Sequence, residues 1–185
     1  MFDANGNLGL FGRLPTDRPH VFKVYGAYNF KFGTQIGTFF RASSGTPVTT
    51  QVDSINQIPV YVEGRGNLGR TPTYNQTDLM VAHEIKFGDV RKLRLEFNMI
   101  NLFNQKTSMF TFDRYNQEEL SDSIGMCLDK YNCAGGGVDL AQGFDWQSMA
   151  AQASADGGVP LDPRYGKAAI FNPGFEGRFL VKFIF

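Results

Sequence analysis

The side chains that could do chemistry are few in this chain, and their spacing does not form a recognisable reaction centre. The two histidines, His20 and His83, stand far from each other and from the two cysteines, whereas a structural zinc site gathers its ligands in one place. The aspartates between positions 113 and 162 lack the regular acid spacing and the glycine of a calcium-binding loop. We therefore expect no catalytic residue, no metal site and no cofactor.

A glycine-rich stretch, GRGNLGRTP, is the nearest approach to a phosphate-binding loop. Gly64, Gly66 and Gly69 have GxGxxG spacing, with Arg65 between the first two. Such a motif binds phosphate where it opens a helix, but here the glycines and Pro72 predict a turn. The serines at positions 43, 44, 121 and 123 have no histidine and acid nearby in a recognisable arrangement. The sequence therefore predicts that the chain is not an enzyme.

The last nine residues, GRFLVKFIF, show the clearest pattern. Phe179, Val181, Phe183 and Phe185 fall on one face of a predicted strand, because successive residues of a strand point to opposite faces. A soluble protein rarely leaves such a strand as an unprotected edge, whereas the last strand of an outer-membrane barrel presents this face to lipid. We expect these four residues to form the carboxyl-terminal signal that the barrel-assembly machinery reads; a buried strand of a soluble sandwich is the alternative.

Other segments show the same period of two. Together with the last strand they predict strands over residues 20–32, 34–44, 58–63, 77–87, 92–103, 107–115 and 174–185. A strand of about eleven residues, tilted by about 40°, crosses roughly 28 Å, which matches the apolar band of about 25 Å on a membrane barrel. The predicted fold class is all-β, with antiparallel transmembrane strands of a β-barrel. A short helix is predicted from near Asp145 to Gly157.

Composition agrees with this fold class. The 185 residues include 18 phenylalanines, 7 tyrosines and 21 glycines, a mixture typical of strands joined by turns. The 18 acidic and 18 basic residues balance, so we expect no nucleic-acid partner. The amino-terminal stretch lacks the basic and apolar regions of a secretory signal, so we expect an export signal in a part of the protein that precedes Met1.

Short words along the chain resemble TonB-dependent receptors of the Gram-negative outer membrane, and the nearest subgroup is the Oar-like receptors, which carry a carboxypeptidase-regulatory-like domain. The words are DRPHVFK at 17–23, SGTPVT at 44–49, GRGNLGRTP at 64–72, TDL at 77–79, NLFN at 101–104 and GRFLVKFIF at 177–185. Their order is similar to the last third of such a barrel. The turn residues that carry the resemblance are Gly64, Arg65, Gly66, Asn101, Leu102, Phe103 and Asn104.

The resemblance implies that residues 1–185 are the carboxyl-terminal part of a barrel of about 22 strands, of which about seven lie here. The plug and the amino-terminal domains would lie outside this chain. The implied location is the cell outer membrane, and the implied role is energised uptake of a solute that the sequence does not identify. The implied partners are outer-membrane lipid, the barrel-assembly machinery, the remainder of the barrel with its plug, and the TonB complex, which would act through the amino-terminal part.

The predicted strand order also predicts sidedness. If the last strand descends to the periplasm, residues 32–34, 64–76 and 103–106 become periplasmic, and residues 44–57, 88–91 and 116–173 become extracellular. Cys127 and Cys133 lie in the longest of these loops with five residues between them. Export to an oxidising compartment favours a disulfide over two unpaired thiols.

The predicted strands have a polar face as well as an apolar one. Its residues could contact a plug or line a solute path, or they could form a solvated interior held by ion pairs of mixed sign. They are Lys23, Asn29, Arg41, Asp78, Glu84, Arg94, Glu96, Arg178 and Lys182. His83 departs from this pattern, because it falls on the lipid-facing set; we expect it near the outer interface, where polarity costs less.

Two other classes of protein stay open. Residues 7–14 alternate and could supply an eighth strand, which would complete a small barrel with a structural or adhesive role. A soluble β-sandwich binding module is the second alternative. It would pack Phe22, Phe30, Phe97, Phe179 and Phe183 together inside a closed core.

Overall fold

The computed structural model describes residues 5–7, 11–53, 59–88, 90–117, 142–143, 145–155 and 161–185, and the described residues are mostly antiparallel β-sheet. Cys127 and Cys133 lie outside them, as does most of the predicted long loop, so the disulfide stays a prediction. The strands are β1 (Val21–Asn29), β2 (Thr34–Ser43), β3 (Gln51–Asp53), β4 (Pro59–Tyr61), β5 (Tyr74–Phe87), β6 (Arg91–Ile100) and β7 (Glu176–Ile184), and a helix, α1, spans Trp146–Ala155.

The chain divides into two compact units. We call them the sheet unit (Arg18–Gly45, Pro72–Met109 and Ile170–Phe185) and the loop unit (Met1–Asp17, Thr46–Thr71 and Phe110–Ala169). The sheet unit contains, among the described residues, one sheet of five antiparallel strands in the order β1-β2-β5-β6-β7. β-Branched and aromatic residues favour such strands, and they recur along all five.

The alternation of the sequence predicted these five strands. The segments at 20–32, 34–44, 77–87, 92–103 and 174–185 correspond to β1, β2, β5, β6 and β7, with ends that differ by a few residues. The predicted helix is also present as α1. Asp145 begins it, because the Asp145 carboxylate accepts hydrogen bonds from Ser148 N at 3.2 Å and from Ser148 Oγ at 2.6 Å, as an N-cap residue does.

The predicted strand at 107–115 is wrong, and the predicted strand at 58–63 is present as β4 but does not join the five-stranded sheet. Residues 59–61 form β4, which pairs with β3 in a separate two-stranded sheet, and residues 107–115 form only isolated bridges, such as Ser108↔Phe171 and Thr111↔Ala168. The physical reason is that β2 pairs directly with β5, and β6 pairs directly with β7. No strand edge is therefore left open between β2 and β5, or between β6 and β7, at which either segment could join the five-stranded sheet. Residues 11–14, the described end of the proposed eighth strand at 7–14, form no strand, and residues 8–10 lie outside the described part.

The removal of these two strands changes the predicted sidedness. Because β5 runs antiparallel to β2, it has the direction of β1, and β6 has the direction of β2. The connections that follow β2 and β6 therefore begin at one end of the sheet, and those that follow β1 and β5 begin at the opposite end. The grouping of 64–76 and 103–106 with 32–34, and of 88–91 with 44–57, is wrong for either orientation of the sheet.

The tight turn between β1 and β2 requires glycine. Gly33 has a φ of +92°, and a Cβ at this position would lie 2.8 Å from the carbonyl oxygen of Glu84. Its own backbone closes the turn, since Gly33 N donates to Phe30 O at 3.1 Å and Gly33 O accepts from Glu84 N at 2.9 Å. A side chain at this position would thus disturb the turn and the neighbouring β5 together.

The loop unit has a small core of its own. β3 pairs with β4, Gln51 forms a parallel bridge with Arg114, and Asn116 forms an antiparallel bridge with Leu161. Trp146, Met149 and Ala150 lie on one face of α1, at the helical spacing that a buried face requires, and all three are buried. Among the described residues of the unit, the buried valines are Val48, Val52, Val60 and Val62.

Candidate functional site

The strand register places the apolar residues of the five strands on one surface, which we call the apolar face. Across the middle of the sheet, Tyr28, Ile36, Val81, Phe97 and Phe179 form one row, each opposite the next. The same face carries the rest of the predicted lipid-facing set that the register describes: Phe22, Val24, Thr38, Phe40, Ala42, Leu79, His83, Ile85, Phe87, Leu93, Leu95, Met99, Val181 and Phe183. The prediction of which residues share this face is confirmed.

The apolar face is exposed. The exposed fraction is 58% for Phe22, 36% for Phe30, 39% for Phe97, 67% for Phe179 and 55% for Phe183. A closed globular core would bury these rings, so the packing that a soluble sandwich requires is absent from the described residues. An apolar surface of this size marks contact with another apolar medium or partner.

Aromatic rings on this face touch one another along the surface of the sheet. Phe22 meets Phe40 edge-on at 6.2 Å between ring centroids, Tyr28 meets Phe30 edge-on at 4.8 Å, and Phe30 lies 5.2 Å from Phe32. These contacts are lateral, and among the described residues the sheet unit has no second layer of strands or helices. The rings therefore form a single aromatic layer.

The final strand lies at one edge of the sheet. β7 pairs with β6 from Lys92↔Ile184 to Ile100↔Glu176, and its other edge has no strand partner among the described residues. Val181 is 54% exposed and Phe185 is 87% exposed. β7 is thus an edge strand with exposed side chains among the described residues, and its role as an assembly signal stays a prediction.

His83 is the polar residue on the apolar face that the sequence singled out. The register sets it opposite Thr34, and His83 Nδ1 and Thr34 Oγ1 share a hydrogen bond of 2.8 Å. This bond satisfies one ring nitrogen without a charged partner. The bond therefore gives this polar side chain a partner on an otherwise apolar surface.

The opposite surface, which we call the polar face, carries all nine residues of the predicted polar set. Arg94 connects its centre, because Nη1 donates to Glu84 Oε1 at 3.1 Å, Nε to Glu96 Oε2 at 3.2 Å and Nη2 to Gln35 Oε1 at 2.8 Å. Asn98 extends the network by donating to Glu96 Oε1 at 2.8 Å. The predicted ion pairs of mixed sign are thus present at the centre of this face.

The other residues of the polar set are arranged differently. Arg178 Nε donates to Glu176 Oε1 at 2.6 Å. Glu176 is not a member of the predicted polar set. Lys182 lies opposite Arg94 in the register, and Lys23 lies opposite Arg41. The face therefore combines the ion network around Arg94 with positively charged residues that lie opposite each other.

The NLFN turn ties the two ends of the β6–β7 connection together. Asn101 is 1% exposed and has a φ of 54°, and its Nδ2 donates to Gln105 O at 3.0 Å and to Pro173 O at 2.8 Å. Asn104, with a φ of 50°, accepts a hydrogen bond from Phe175 N at 3.1 Å. Asparagine suits both positions, because it tolerates the left-handed conformation and bonds to nearby backbone. Leu102 and Phe103 complete the turn, and Phe103 is 65% exposed.

The GRGN stretch is a turn and not a phosphate-binding loop. Gly64 and Gly66 have φ values of 77° and 78°, and Gly66 N donates to Thr49 Oγ1 at 2.9 Å. The guanidinium of Arg65 lies over the Tyr61 ring at 5.0 Å, a cation–π contact. These contacts hold the turn against Thr49 and against Tyr61 of β4 within the loop unit.

An aromatic cluster in the loop unit was missed by sequence reasoning. Tyr115 contacts Trp146 at 4.9 Å and Tyr165 at 5.1 Å, both edge-on, and the Tyr165 hydroxyl bonds to Thr50 Oγ1 at 2.6 Å. Burial raises the pKa of the Tyr165 hydroxyl above its ordinary value. No local signal in the sequence joins residues this far apart, so only the three-dimensional structure identifies the cluster.

The pKa values of two carboxyl groups in the loop unit are shifted in opposite directions. The hydrogen bond from Arg164 lowers the pKa of Asp162, and burial raises the pKa of Asp113, which accepts from Gln51 Nε2 at 2.6 Å. Among the described residues, no group of three or more histidine, cysteine, aspartate or glutamate side chains could hold a metal ion. In that same part of the chain, no helix is both long and apolar enough to cross a membrane.

Comparisons with known proteins give one local similarity. The TonB-dependent transporter Oar of Myxococcus xanthus is 32% identical to this chain over 99 residues. That stretch covers 50% of this chain and 9% of Oar, so the chain spans a small part of the length of the relative it matches. No family model matches the chain, and no solved structure matches it. The similarity indicates a distant relationship to part of that transporter.

Proposed function

We propose that this chain is the carboxyl-terminal wall of a TonB-dependent outer-membrane transporter that takes up a solute with energy from the TonB complex. The observation that carries the proposal is the two-faced sheet. One face exposes an aromatic layer, and the other carries a hydrogen-bonded ion network around Arg94. A sheet with lipid on one side and a watery lumen on the other needs this division. The local similarity to Oar supports it.

The strand number favours a larger barrel over a complete small one. Within the described residues the sheet has five strands, and both β1 and β7 have an edge without a partner. Outer-membrane barrels have about eight strands or more, and the segments at 58–63 and 107–115 add none to this sheet. The proposal therefore includes further strands and a plug from the remainder of the same protein, and assembly through the signal at Phe179, Val181, Phe183 and Phe185.

The strand directions supply the membrane sidedness of the proposal. If β7 descends to the periplasm, the turns at 30–33 and 88–90 are periplasmic, and residues 44–73 and 101–175 are extracellular. The long connections then lie outside the cell and the short turns inside, which is the arrangement of outer-membrane barrels.

Labelling of single cysteines tests this proposal. The protein is expressed from its complete gene in a Gram-negative host, with its other cysteines replaced by serine. A membrane-impermeant maleimide should label Gln147→Cys, on α1, in intact cells, and should label Lys31→Cys, in the β1–β2 turn, only after the outer membrane is permeabilised. Both side chains are exposed, so access to the reagent depends on sidedness.

Two controls make the outcome decisive. The protein should remain with the outer-membrane fraction after a carbonate wash, and its migration on a gel should change on boiling. Recovery of the protein in the soluble fraction would contradict the proposal. Labelling of Lys31→Cys in intact cells would contradict the sidedness while leaving the membrane location intact.

A further inference from the structure

A hollow of about 680 Å³ lies on the polar face, where small residues lower the surface of the sheet. Ala27 and Gly37 face each other at its floor. A Cβ at Gly37 would come within 3.1 Å of Met80 Cε, so the glycine leaves room for the methionine side chain. The walls are mainly aromatic and aliphatic: Tyr25, Phe39, Met80 and Ile100.

The polar side chains at the edge of the hollow already have partners. Asp78 Oδ1 accepts from Gln76 Nε2 and from Asn101 N, both at 2.8 Å. Asn98 donates to Glu96, and Arg178 to Glu176. What the hollow offers to a ligand is therefore mainly apolar surface, which suits an aromatic or aliphatic group.

Two cations stand next to this hollow. Lys23 and Arg41 lie directly opposite each other, one row beyond Tyr25 and Phe39, and alternate residues of a strand are about 6.6 Å apart. Among the described residues neither cation forms an ion pair. Like charges directly opposite each other destabilise a sheet. A bound anion would relieve this repulsion.

A second observation, at Arg41, also indicates that a hydrogen-bond acceptor is missing. Its Nε is buried and has no hydrogen-bond partner among the described residues, while the guanidinium lies over the Tyr74 ring at 5.7 Å. A buried donor without an acceptor is costly, and a carboxylate is the acceptor that matches a guanidinium best.

A second pair of like charge on the same face shows the contrast. Lys86 and Lys92 also lie opposite each other, near the β5–β6 turn. They lie six residues along their strands from Met80 and Asn98, which line the hollow, whereas Lys23 and Arg41 lie two residues from Tyr25 and Phe39. Among the described residues, neither lysine has a buried nitrogen without a partner. Both pairs therefore share the repulsion of like charges. Only the Lys23–Arg41 pair lies next to the hollow and includes a buried nitrogen, Arg41 Nε, without a partner among the described residues.

We infer that the hollow and the Lys23–Arg41 pair form one binding site for a solute with an aromatic or apolar body and a carboxylate. The body would occupy the hollow between Tyr25, Phe39 and Met80, and the carboxylate would bond to Arg41 and Lys23. The inference rests on the proposed function, since it places the site on the face that lines the lumen, and it names the class of solute.

Calorimetry on the full-length protein in detergent micelles tests the site, with empty micelles as the blank. The probes are 2-naphthoate, its neutral counterpart 2-naphthalenemethanol, and acetate, which has the charge without the rings. Naphthoate should bind saturably and about tenfold or more tighter than the alcohol, because charge-assisted hydrogen bonds are the stronger kind. Acetate should bind more weakly than naphthoate, because it cannot fill the hollow.

Three variants separate the parts of the site. Arg41→Gln should weaken naphthoate binding about tenfold and leave the alcohol unchanged, since it removes charge and keeps the hollow. Ala27→Phe should weaken both aromatic probes, because the new ring fills the hollow. Lys92→Gln, which removes a charge from the same face away from the hollow, should change neither. Gel migration before and after boiling checks that each variant is folded.

Several results would overturn the inference. Equal affinity of the wild-type protein for naphthoate and the alcohol would do so, as would equal effects of Arg41→Gln and Lys92→Gln. So would a lack of naphthoate binding, which is the result expected if an acidic side chain from the remainder of the protein fills the site. These outcomes leave the proposed function standing if the protein still fractionates with the outer membrane. A protein that stays soluble contradicts the proposed function instead.

Discussion

The sheet unit and the loop unit, taken separately, obey opposite rules about what is buried. In the sheet unit, large aromatic side chains such as Phe22 and Phe179 are more than half exposed. In the loop unit, Val52 is fully buried and Asn116 is 1% exposed, so both apolar and polar side chains are enclosed. One region exposes its large apolar side chains, and the other encloses its apolar side chains in a small core.

The difference also lies in what holds each unit together. The sheet unit depends on long ladders of backbone hydrogen bonds, which satisfy the backbone inside a strand-paired sheet without help from side chains. The loop unit has short strands and relies on side chains for the same purpose. Asn116, for example, bonds to both Asp53 N, at 3.0 Å, and Asp53 O, at 3.1 Å. Each kind of support predicts a different sensitivity to mutation.

The largest effect should follow a charge on the apolar face. Phe97→Arg places a cation at the middle of that face, and at the centre of a bilayer such a change costs about 2–4 kcal/mol. Leu180→Arg adds the same cation on the polar face, opposite Glu96, where the cost should be near zero. The measurement is the free energy of unfolding by urea for the protein refolded in lipid vesicles. Equal costs for the two variants would show that both faces meet water.

Loss of the buried asparagine in the NLFN turn should have the next largest effect. Asn101→Ala removes three side-chain hydrogen bonds and leaves a residue with a Cβ at a φ of 54°, for an expected loss of about 2–3 kcal/mol. Asn101→Gly removes the same bonds but suits this φ, so its cost should be smaller by about 1 kcal/mol. The same unfolding measurement compares them. If the glycine variant were no more stable than the alanine variant, the left-handed backbone would carry no cost.

The faces of the sheet were predictable from the sequence because they depend on a local rule. Alternation at one position decides the face for every other position of the same strand, so Phe97 and Phe179 were placed correctly without knowledge of their neighbours. Strand pairing is not local. The segment at 107–115 alternates well enough to suggest a strand, yet β6 pairs with β7 from a distant part of the chain, and this decides the sidedness.

The candidate site was predictable in part for the same reason. The polar face and its ion pairs follow from alternation, whereas the hollow depends on two small residues, Ala27 and Gly37, that the register brings side by side. The loop unit was the least predictable region. Its cluster joins Thr50, Tyr115 and Tyr165 across long stretches of chain, and polar contacts of this kind have no periodic pattern in the sequence.

A smaller effect is expected in the loop unit. Tyr165→Phe removes the hydroxyl that bonds to Thr50 Oγ1, for a loss of about 1 kcal/mol in the stability of that unit. Trp146, which contacts Tyr115, reports on its unfolding through fluorescence, and it is the one tryptophan of this chain. Tyr61→Phe is the control, because the Tyr61 ring contacts Arg65 through its face. A loss of equal size in the control would show that the Thr50 bond contributes nothing specific.

The smallest effects should appear as a dependence on pH in the same unit. Asp162 accepts from Arg164 Nε at 2.9 Å and Nη2 at 3.0 Å, and its pKa is lowered by that bond. A carboxyl whose pKa is lower in the folded state stabilises fully above its unfolded pKa of about 4, and this contribution disappears as the pH falls through the folded pKa. The wild-type protein should therefore lose its stability advantage over Asp162→Asn as the pH falls below about 5, with measurements about one pH unit apart.

Asp113 gives the opposite sign and completes the test. Burial raises its pKa, so the folded state disfavours its charged form, and Asp113→Asn should gain stability relative to the wild-type protein as the pH rises above about 4. Trp146 fluorescence during urea unfolding measures both variants at each pH. If stability changed with pH in the same direction for both variants, the pKa values of Asp113 and Asp162 would not be shifted in opposite directions. Because the sheet unit contributes no tryptophan, a change confined to this signal assigns the effect to the loop unit.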